Sequence, residues 1–160
     1  MYSCTLNPSY TDDEFARLFN SSWDKLPDDM KGLSQADALN VQKSRVAEMN
    51  CVIGVYEDGY LLALLSGVVN DGRVVLVSAY FGADSNGSKS YIHNSDWTIA
   101  VETFNKANFT DFGFTTINSS AIDMFAKGQE SIRDSSYAGT EVQTNEHEGV
   151  TYNGSNYKTS

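Results

Sequence analysis

The stretch Cys51-Val52-Ile53-Gly54-Val55-Tyr56-Glu57-Asp58-Gly59-Tyr60-Leu61-Leu62-Ala63-Leu64-Leu65-Ser66-Gly67-Val68-Val69-Asn70-Asp71-Gly72-Arg73-Val74-Val75-Leu76-Val77-Ser78-Ala79-Tyr80-Phe81 decides the fold. It holds three apolar runs rich in Val, Leu and aromatic residues, separated by turns at Asp58-Gly59 and Asn70-Asp71-Gly72. Connections this short are too brief for parallel crossovers, so the runs predict an antiparallel meander over about residues 50 to 81. The rival reading, a helix over Leu61 to Val69, is disfavoured by Gly67, the paired valines and the flanking turns. The middle run is apolar almost without a break. It therefore predicts packing on both faces of the sheet.

Upstream, the spacing is helical. Thr11 is a candidate N-cap with Glu14 at the reciprocal capping-box position, and Asp12 and Asp13 suit the positive end of a helix. Phe15, Leu18, Phe19, Trp23 and Leu26 make its apolar stripe, and Pro27 marks a stop. Ser34, with Asp37 three residues on, opens a second helix whose inward side is read as Ala38, Val41, Val46 and Met49. Downstream, Gly82 to Ser90 is a loop by composition, and a third helix is predicted from roughly Ile92 to Asn108 with Trp97, Ala100, Val101, Phe104 and Ala107 on one face. Asp111 to Ile117 reads as a strand and Ala121 to Ala126 as part of a short amphipathic helix. From Ser131 the chain turns polar: Tyr137 to Thr144 and Val150 to Tyr157 read as closing strands around Asn145 to Gly149, or 131–160 as a partly flexible tail. One core is expected to gather Phe15, Leu18, Trp23, Val75, Trp97, Val101 and Phe104.

The 160 residues, 41% of them apolar, suffice for a single domain with its own core. Two cysteines, Cys4 and Cys51, near the starts of apolar segments read as small buried hydrophobes, not as a disulfide framework. The first residues lack the basic start and apolar core of a secretion signal, and no segment approaches a membrane span, so a cytoplasmic protein without membrane contact is expected. A formal net charge of −10 with scattered Lys and Arg argues against nucleic-acid binding. His93 and His147 are the only histidines and stand in no metal-ligand spacing, so no metal is expected.

The order of elements, with Ser3 to Asn7 assigned as a first strand, resembles the GCN5-related N-acetyltransferase family. So does the segment Asn118-Ser119-Ser120-Ala121-Ile122-Asp123-Met124-Phe125-Ala126-Lys127-Gly128, which is similar to the family's Asn-x-x-Ala-x-x-x-Tyr run. The resemblance implies an α+β, acyl-CoA N-acyltransferase-like three-layer fold with a central mixed, mainly antiparallel sheet flanked by helices. It also implies acetyl-CoA or CoA as cofactor, with the pyrophosphate at the loop after the fourth strand. Here that loop is Gly82 to Ser90, in which Gly82 and Gly87 allow close approach, Ser88 adds a hydroxyl and Lys89 a cation. Asn118 is the further cofactor-contact candidate. The loop departs from the family's Gly-x-Gly pattern, carries the acidic Asp84, and Phe125 stands where a tyrosine general acid is frequent. Glu57, Asp58 and Asp84 are the carboxylates from which a base would come, and none is assigned as catalytic.

Two functions remain open. One is acetyl-CoA-dependent N-acyl transfer to an unidentified small or protein amine. The other is a catalytically inactive structural or partner-binding protein, a homo-oligomer or a viral structural protein in host cytoplasm or virion, since the resemblance extends to virus-encoded acetyltransferase-like proteins packaged with the particle.

Overall fold

In a computed structural model of the chain, residues 1–25, 32–114 and 144–153 are described. Strand β1 (Tyr2–Leu6) leads into α1 (Asp12–Ser22), a 3₁₀ turn (Trp23–Lys25) and α2 (Gln35–Glu48). Strands β2 (Cys51–Glu57), β3 (Tyr60–Asn70) and β4 (Arg73–Phe81) follow, then a second 3₁₀ turn (Ser90–His93), α3 (Ser95–Asn108) and β5 (Asp111–Phe114). A hairpin of β6 (Thr144–His147) and β7 (Val150–Asn153) forms a separate two-stranded sheet.

The main sheet has the order β1-β2-β3-β4-β5. Its first four strands are antiparallel, and β4 and β5 are parallel. The meander is as the turn chemistry predicts: Asp58-Gly59 and Asp71-Gly72 all have positive φ, the conformation of a tight two-residue hairpin turn. The change to parallel pairing follows from connection length, because α3 carries the chain back over the sheet before β5 begins.

Helices cover both faces, as the unbroken apolar run of β3 requires. On one side Phe15, Leu18 and Phe19 of α1 and Ala38 and Val46 of α2 pack against Leu61, Leu64 and Tyr80. On the other, Trp97 and Val101 of α3 pack with Tyr91 against Leu62, Leu65, Leu76 and Phe81. The chain is thus a three-layer α+β fold whose order and strand directions agree with the arrangement the resemblance implies. The apolar residues expected to share one core are split by the sheet: Phe15, Leu18 and Trp23 lie on one side, Trp97, Val101 and Phe104 on the other.

The predicted caps form. Thr11 Oγ1 accepts from the Glu14 N–H at 3.1 Å while the Glu14 carboxylate accepts from the Thr11 N–H at 3.0 Å. The Asp37 N–H likewise donates to Ser34 Oγ at 3.1 Å. Two helix faces differ from the periodic reading. In α2 the exposed position is Val41, at 38% of its full area, while Gln42 is buried at 5%. Gln42 faces inward because its Oε1 accepts from the buried Tyr80 hydroxyl at 3.2 Å, a polar partnership that hydrophobic spacing does not register. In α3 Asn105 takes the inward place and Ala107 is exposed. This helix begins at Ser95, later than Ile92, because the Asn94 side chain accepts from the Asp96 N–H at 2.8 Å and caps it there. The first strand runs Tyr2–Leu6 instead of Ser3 to Asn7, and Asn7 leaves the sheet with a positive φ of 51°.

A β-bulge shapes the end of β4. Ser66 pairs with Ser78 but its neighbour Gly67 pairs with Leu76, so Val77 is the extra residue. A side chain at Gly67 would run into the Val75 carbonyl and stand 2.7 Å from Leu76 Cα. Glycine is therefore what lets β3 pass the bulge. The ladder to β5 runs from Arg73 to Leu76, directly before that bulge.

The closing hairpin turns later than predicted, since Asn145 to His147 belong to a strand and not to the turn. Glu148-Gly149 makes its turn with positive φ at both residues, which leaves His147 at the end of a strand. It reaches the main body through Asn70 Nδ2, which donates to the Glu146 carbonyl at 3.0 Å, and His147 Nε2, 2.8 Å from the Glu48 carbonyl. Leu26, Pro27, Ile117, the Ala121 to Ala126 helix and Tyr137 lie outside the described residues.

Candidate functional site

The loop Gly82 to Ser90 leaves the C-terminal end of β4, the strand at which the sheet turns from antiparallel to parallel. Crevices beyond the carboxyl ends of parallel strands at such a change of direction are recurrent ligand positions. The antiparallel meander brings the β2–β3 turn to the same end, since Ala63 pairs with Phe81. Glu57, Asp58 and Asp84 are therefore all at one end of the sheet.

The root of the loop is fixed. The Gly82 N–H donates to the Leu62 carbonyl at 2.8 Å, and the buried Tyr91 hydroxyl lies 2.6 Å from the Gly82 carbonyl and 3.1 Å from that of Leu62. From α1, Arg17 donates to the Leu61 carbonyl at 2.7 Å and to that of Ala83 at 3.4 Å while its guanidinium stacks on Tyr60. A Cβ at Gly82 would meet Leu18 Cδ2 at 2.5 Å and Arg17 Nη1 at 2.9 Å, so this glycine permits close packing of α1 and not the approach of a ligand. Ser22 Oγ completes the anchorage by accepting from the Phe81 N–H at 2.7 Å.

The tip is organised around one carboxylate. Asp84 Oδ1 accepts from the backbone N–H of Asn86 and of Ser88, each at 2.9 Å. The Gly87 N–H donates to the Asp84 carbonyl at 2.9 Å and the Asp84 N–H to the Ser88 carbonyl at 2.8 Å. Gly87 has φ +80° with open space on its Cβ side, which gives the turn its shape. Ser88 Oγ pairs with Ser90 Oγ at 2.9 Å and also accepts from the Ser90 N–H. Lys89 Nζ donates to the Ser21 carbonyl at 2.6 Å, at the C-terminal end of α1, where a cation is favourable. Four predicted site residues, Gly82, Gly87, Ser88 and Lys89, thus belong to one loop, in which Gly82 packs against α1, Gly87 and Ser88 form the tip, and Lys89 is turned to the end of α1. Asn118, like Phe125, lies outside the described residues.

For a CoA pyrophosphate the donors are of the right kind, two backbone amides converging on a single anionic oxygen, which in this structure is that of the chain's own Asp84 carboxylate. The N-terminus of α3 is set apart from them by the Ser90–His93 turn, and its first turn carries Asp96. Sequence reasoning placed Asp84 in the loop but not among its amides, because a side chain that accepts from the amides two and four residues further on is indistinguishable by composition from a solvated one.

Beside the loop, a shallow cavity of about 520 Å³ opens between the β1 edge and the start of α3, lined by Met1, Tyr2, Glu57, Asn94, Asp96 and Ile99 among others. Its carboxylates favour cationic over anionic occupants. Burial and then the nearby Glu57 raise the Tyr2 hydroxyl pKa above its ordinary value, and burial with Asp84 does so for Tyr91. Asp58 is turned to the Met1 ammonium at 3.3 Å. His93 is exposed on the second 3₁₀ turn. Among the described residues no group of three or more His, Cys, Asp or Glu side chains could hold a metal ion, and no helix is long and apolar enough to cross a membrane.

No family model matches the sequence, and no curated protein matches it. Among solved structures the chain is similar to the PaiA N-acetyltransferase of Thermoplasma acidophilum in complex with coenzyme A, at 12% identity over 78% of this chain and 87% of that one, with a TM-score of 0.40. It is also similar to the aminoglycoside 6'-N-acetyltransferase AAC(6')-IG of Acinetobacter haemolyticus, at 17% identity over 92% and 95% of the two chains, with a TM-score of 0.42. Likeness at these scores lends this chain neither an activity nor a ligand, and the fold stands on its own strand order and layering.

Proposed function

We propose that the chain is an N-acyltransferase-type protein that takes acetyl-CoA or CoA at the Gly82 to Ser90 loop and acts on an amine. The observation that carries the reading is the convergence of the Asn86 and Ser88 N–H groups on one anionic oxygen at the end of β4. These amides, with Gly87 permitting the turn and Ser88 adding a hydroxyl, are the groups that would hold a pyrophosphate. When bound, the thioester supplies an activated acyl carbon. The chain's own contribution is to fix the loop through Arg17, Ser22 and Tyr91, so that its donors stay grouped. The carboxylate-rich surface beside the loop suits a cationic acceptor, either a small amine or a protein amine.

The test is amide-resolved NMR of the full chain titrated with CoA and with acetyl-CoA, independent of any acceptor. Resonances of Asn86, Gly87 and Ser88 are expected to move together and saturably. If none moves at millimolar ligand, in the chain as it stands or after the loop's own carboxylate is removed, the reading is lost.

A second reading is favoured by the Asp84 carboxylate itself, which satisfies the loop without any ligand, and by Phe125 at the place of a proton-donating tyrosine. It is a catalytically inactive partner-binding protein of this fold, working within an assembly such as a virus particle. Binding of CoA without acetyl transfer to any tested amine is its expected signature.

A further inference from the structure

We infer that Asp84 is a built-in latch on the anion seat of the loop: its carboxylate stands in for an external phosphate, and a phosphate-bearing ligand binds only by displacing it. The inference rests on the proposed site and concerns how that site is regulated. Three observations carry it. Both donors converge on the same oxygen, Asp84 Oδ1, at 2.9 Å each, as they would on a phosphate oxygen. The remaining loop bonds, Gly87 N–H to the Asp84 carbonyl and Asp84 N–H to the Ser88 carbonyl, are backbone to backbone and do not depend on the carboxylate. The loop therefore keeps its closure when the side chain swings out. Finally, the tip residues Ser85, Asn86 and Gly87 are exposed, and a side chain at Gly87 would meet open space, so both the leaving carboxylate and an arriving anion have room.

The cation that would otherwise compensate an incoming phosphate is also committed. Lys89 Nζ sits on the Ser21 carbonyl at 2.6 Å, on the α1 side of the loop. An external phosphate thus meets a seat already filled by one negative charge, with Glu57 and Asp96 on the neighbouring cavity wall. With the carboxylate in place, affinity is reduced both by competition for the two amides and by like-charge repulsion. Exchanging the carboxylate for an amide removes the second effect alone. Truncating it removes both.

The experiment is calorimetric titration of the full chain and of Asp84→Asn and Asp84→Ala with CoA, and separately with inorganic pyrophosphate. Amide NMR of Asn86 and Ser88 runs alongside, and near-ultraviolet circular dichroism checks folding. Asp84→Asn keeps an acceptor of the same shape, so it retains the folded loop if Asp84→Ala loosens it. Removing one like charge at contact range in water-like surroundings is expected to tighten CoA binding roughly tenfold in Asp84→Asn, and further in Asp84→Ala. Pyrophosphate should follow the same order. Equal affinities for the parent and both variants, with the Asn86 and Ser88 resonances moving in all three, would overturn the latch while leaving the binding site standing. No binding of CoA or pyrophosphate by any of the three would overturn latch and site together.

Discussion

Replacing Gly67 by alanine tests the feature that aims the end of β4. The new Cβ would stand 2.7 Å from Leu76 Cα and 2.8 Å from the Val75 carbonyl carbon, where ordinary contact begins at 3.4 Å. The obstacle is the backbone of the paired strand at its bulge, so no side chain can rotate to relieve it. β3 and β4 must part by at least about 0.7 Å, the difference between 3.4 and 2.7 Å, since the Val75 carbonyl oxygen is nearer still. Overpacking of this kind costs about 1–3 kcal/mol, and each ladder bond weakened beside the bulge adds about 1 kcal/mol, so a loss of about 3 kcal/mol or more is expected. For a chain of 160 residues that corresponds to a melting temperature lower by roughly 6–12 °C. Urea unfolding followed by tryptophan fluorescence measures it, with Gly82→Ala as the comparison. The atoms nearest a Cβ there, Leu18 Cδ2 and Arg17 Nη1, are side-chain ends able to shift, so its cost should be clearly smaller. A Gly67→Ala chain within 0.5 kcal/mol of the parent would refute the assigned bulge and with it the placement of the loop.

Further outcomes follow from the same packing. Trp97→Ala, at a fully buried side chain in contact with the rings of Tyr2, Phe81 and Tyr91, should cost about 3–5 kcal/mol in the same assay, whereas a change under 0.5 kcal/mol would place the ring at the surface. Asn50→Ala removes a side chain that accepts from the Val69 N–H at 2.8 Å and donates to the Val69 carbonyl at 3.0 Å; about 1–3 kcal/mol should be lost, and hydrogen exchange at Val69 should quicken. Burial raises the Cys4 and Cys51 thiols from the ordinary 9.0 to about 12 and pushes the Tyr80 and Tyr91 hydroxyls above their ordinary 10.0. The folded chain then holds more protons than the unfolded one above about pH 9, so stability should be level below that and fall as pH rises toward 12. Denaturant unfolding at pH 8 and pH 10.5 checks the sign, and equal stability at the two would contradict the burial of these groups.

What the sequence determined by itself was local. The capping box at Thr11 and Glu14, the two Asp-Gly turns and the three β-rich runs are short-range signals, each complete within a few residues, and each appears where its chemistry puts it. The long apolar run of β3 also required a covered sheet, because a strand without a polar face cannot border water. Tertiary structure decided what depended on distant partners. Gln42 turns inward, against the hydrophobic period, because Tyr80 from another strand satisfies it. The expected single core is two, because a sheet residue's neighbour points to the opposite layer. Gly67 reads in the sequence only as a residue that disfavours a helix, and its contact with the Val75 and Leu76 backbone shows why glycine is what passes there. The loop of Gly82, Gly87, Ser88 and Lys89 is legible as an anion-suited composition. Which anion its amides hold is set by the side-chain orientation of Asp84, a hydrogen-bonding choice made only once the loop is folded against α1 and β4.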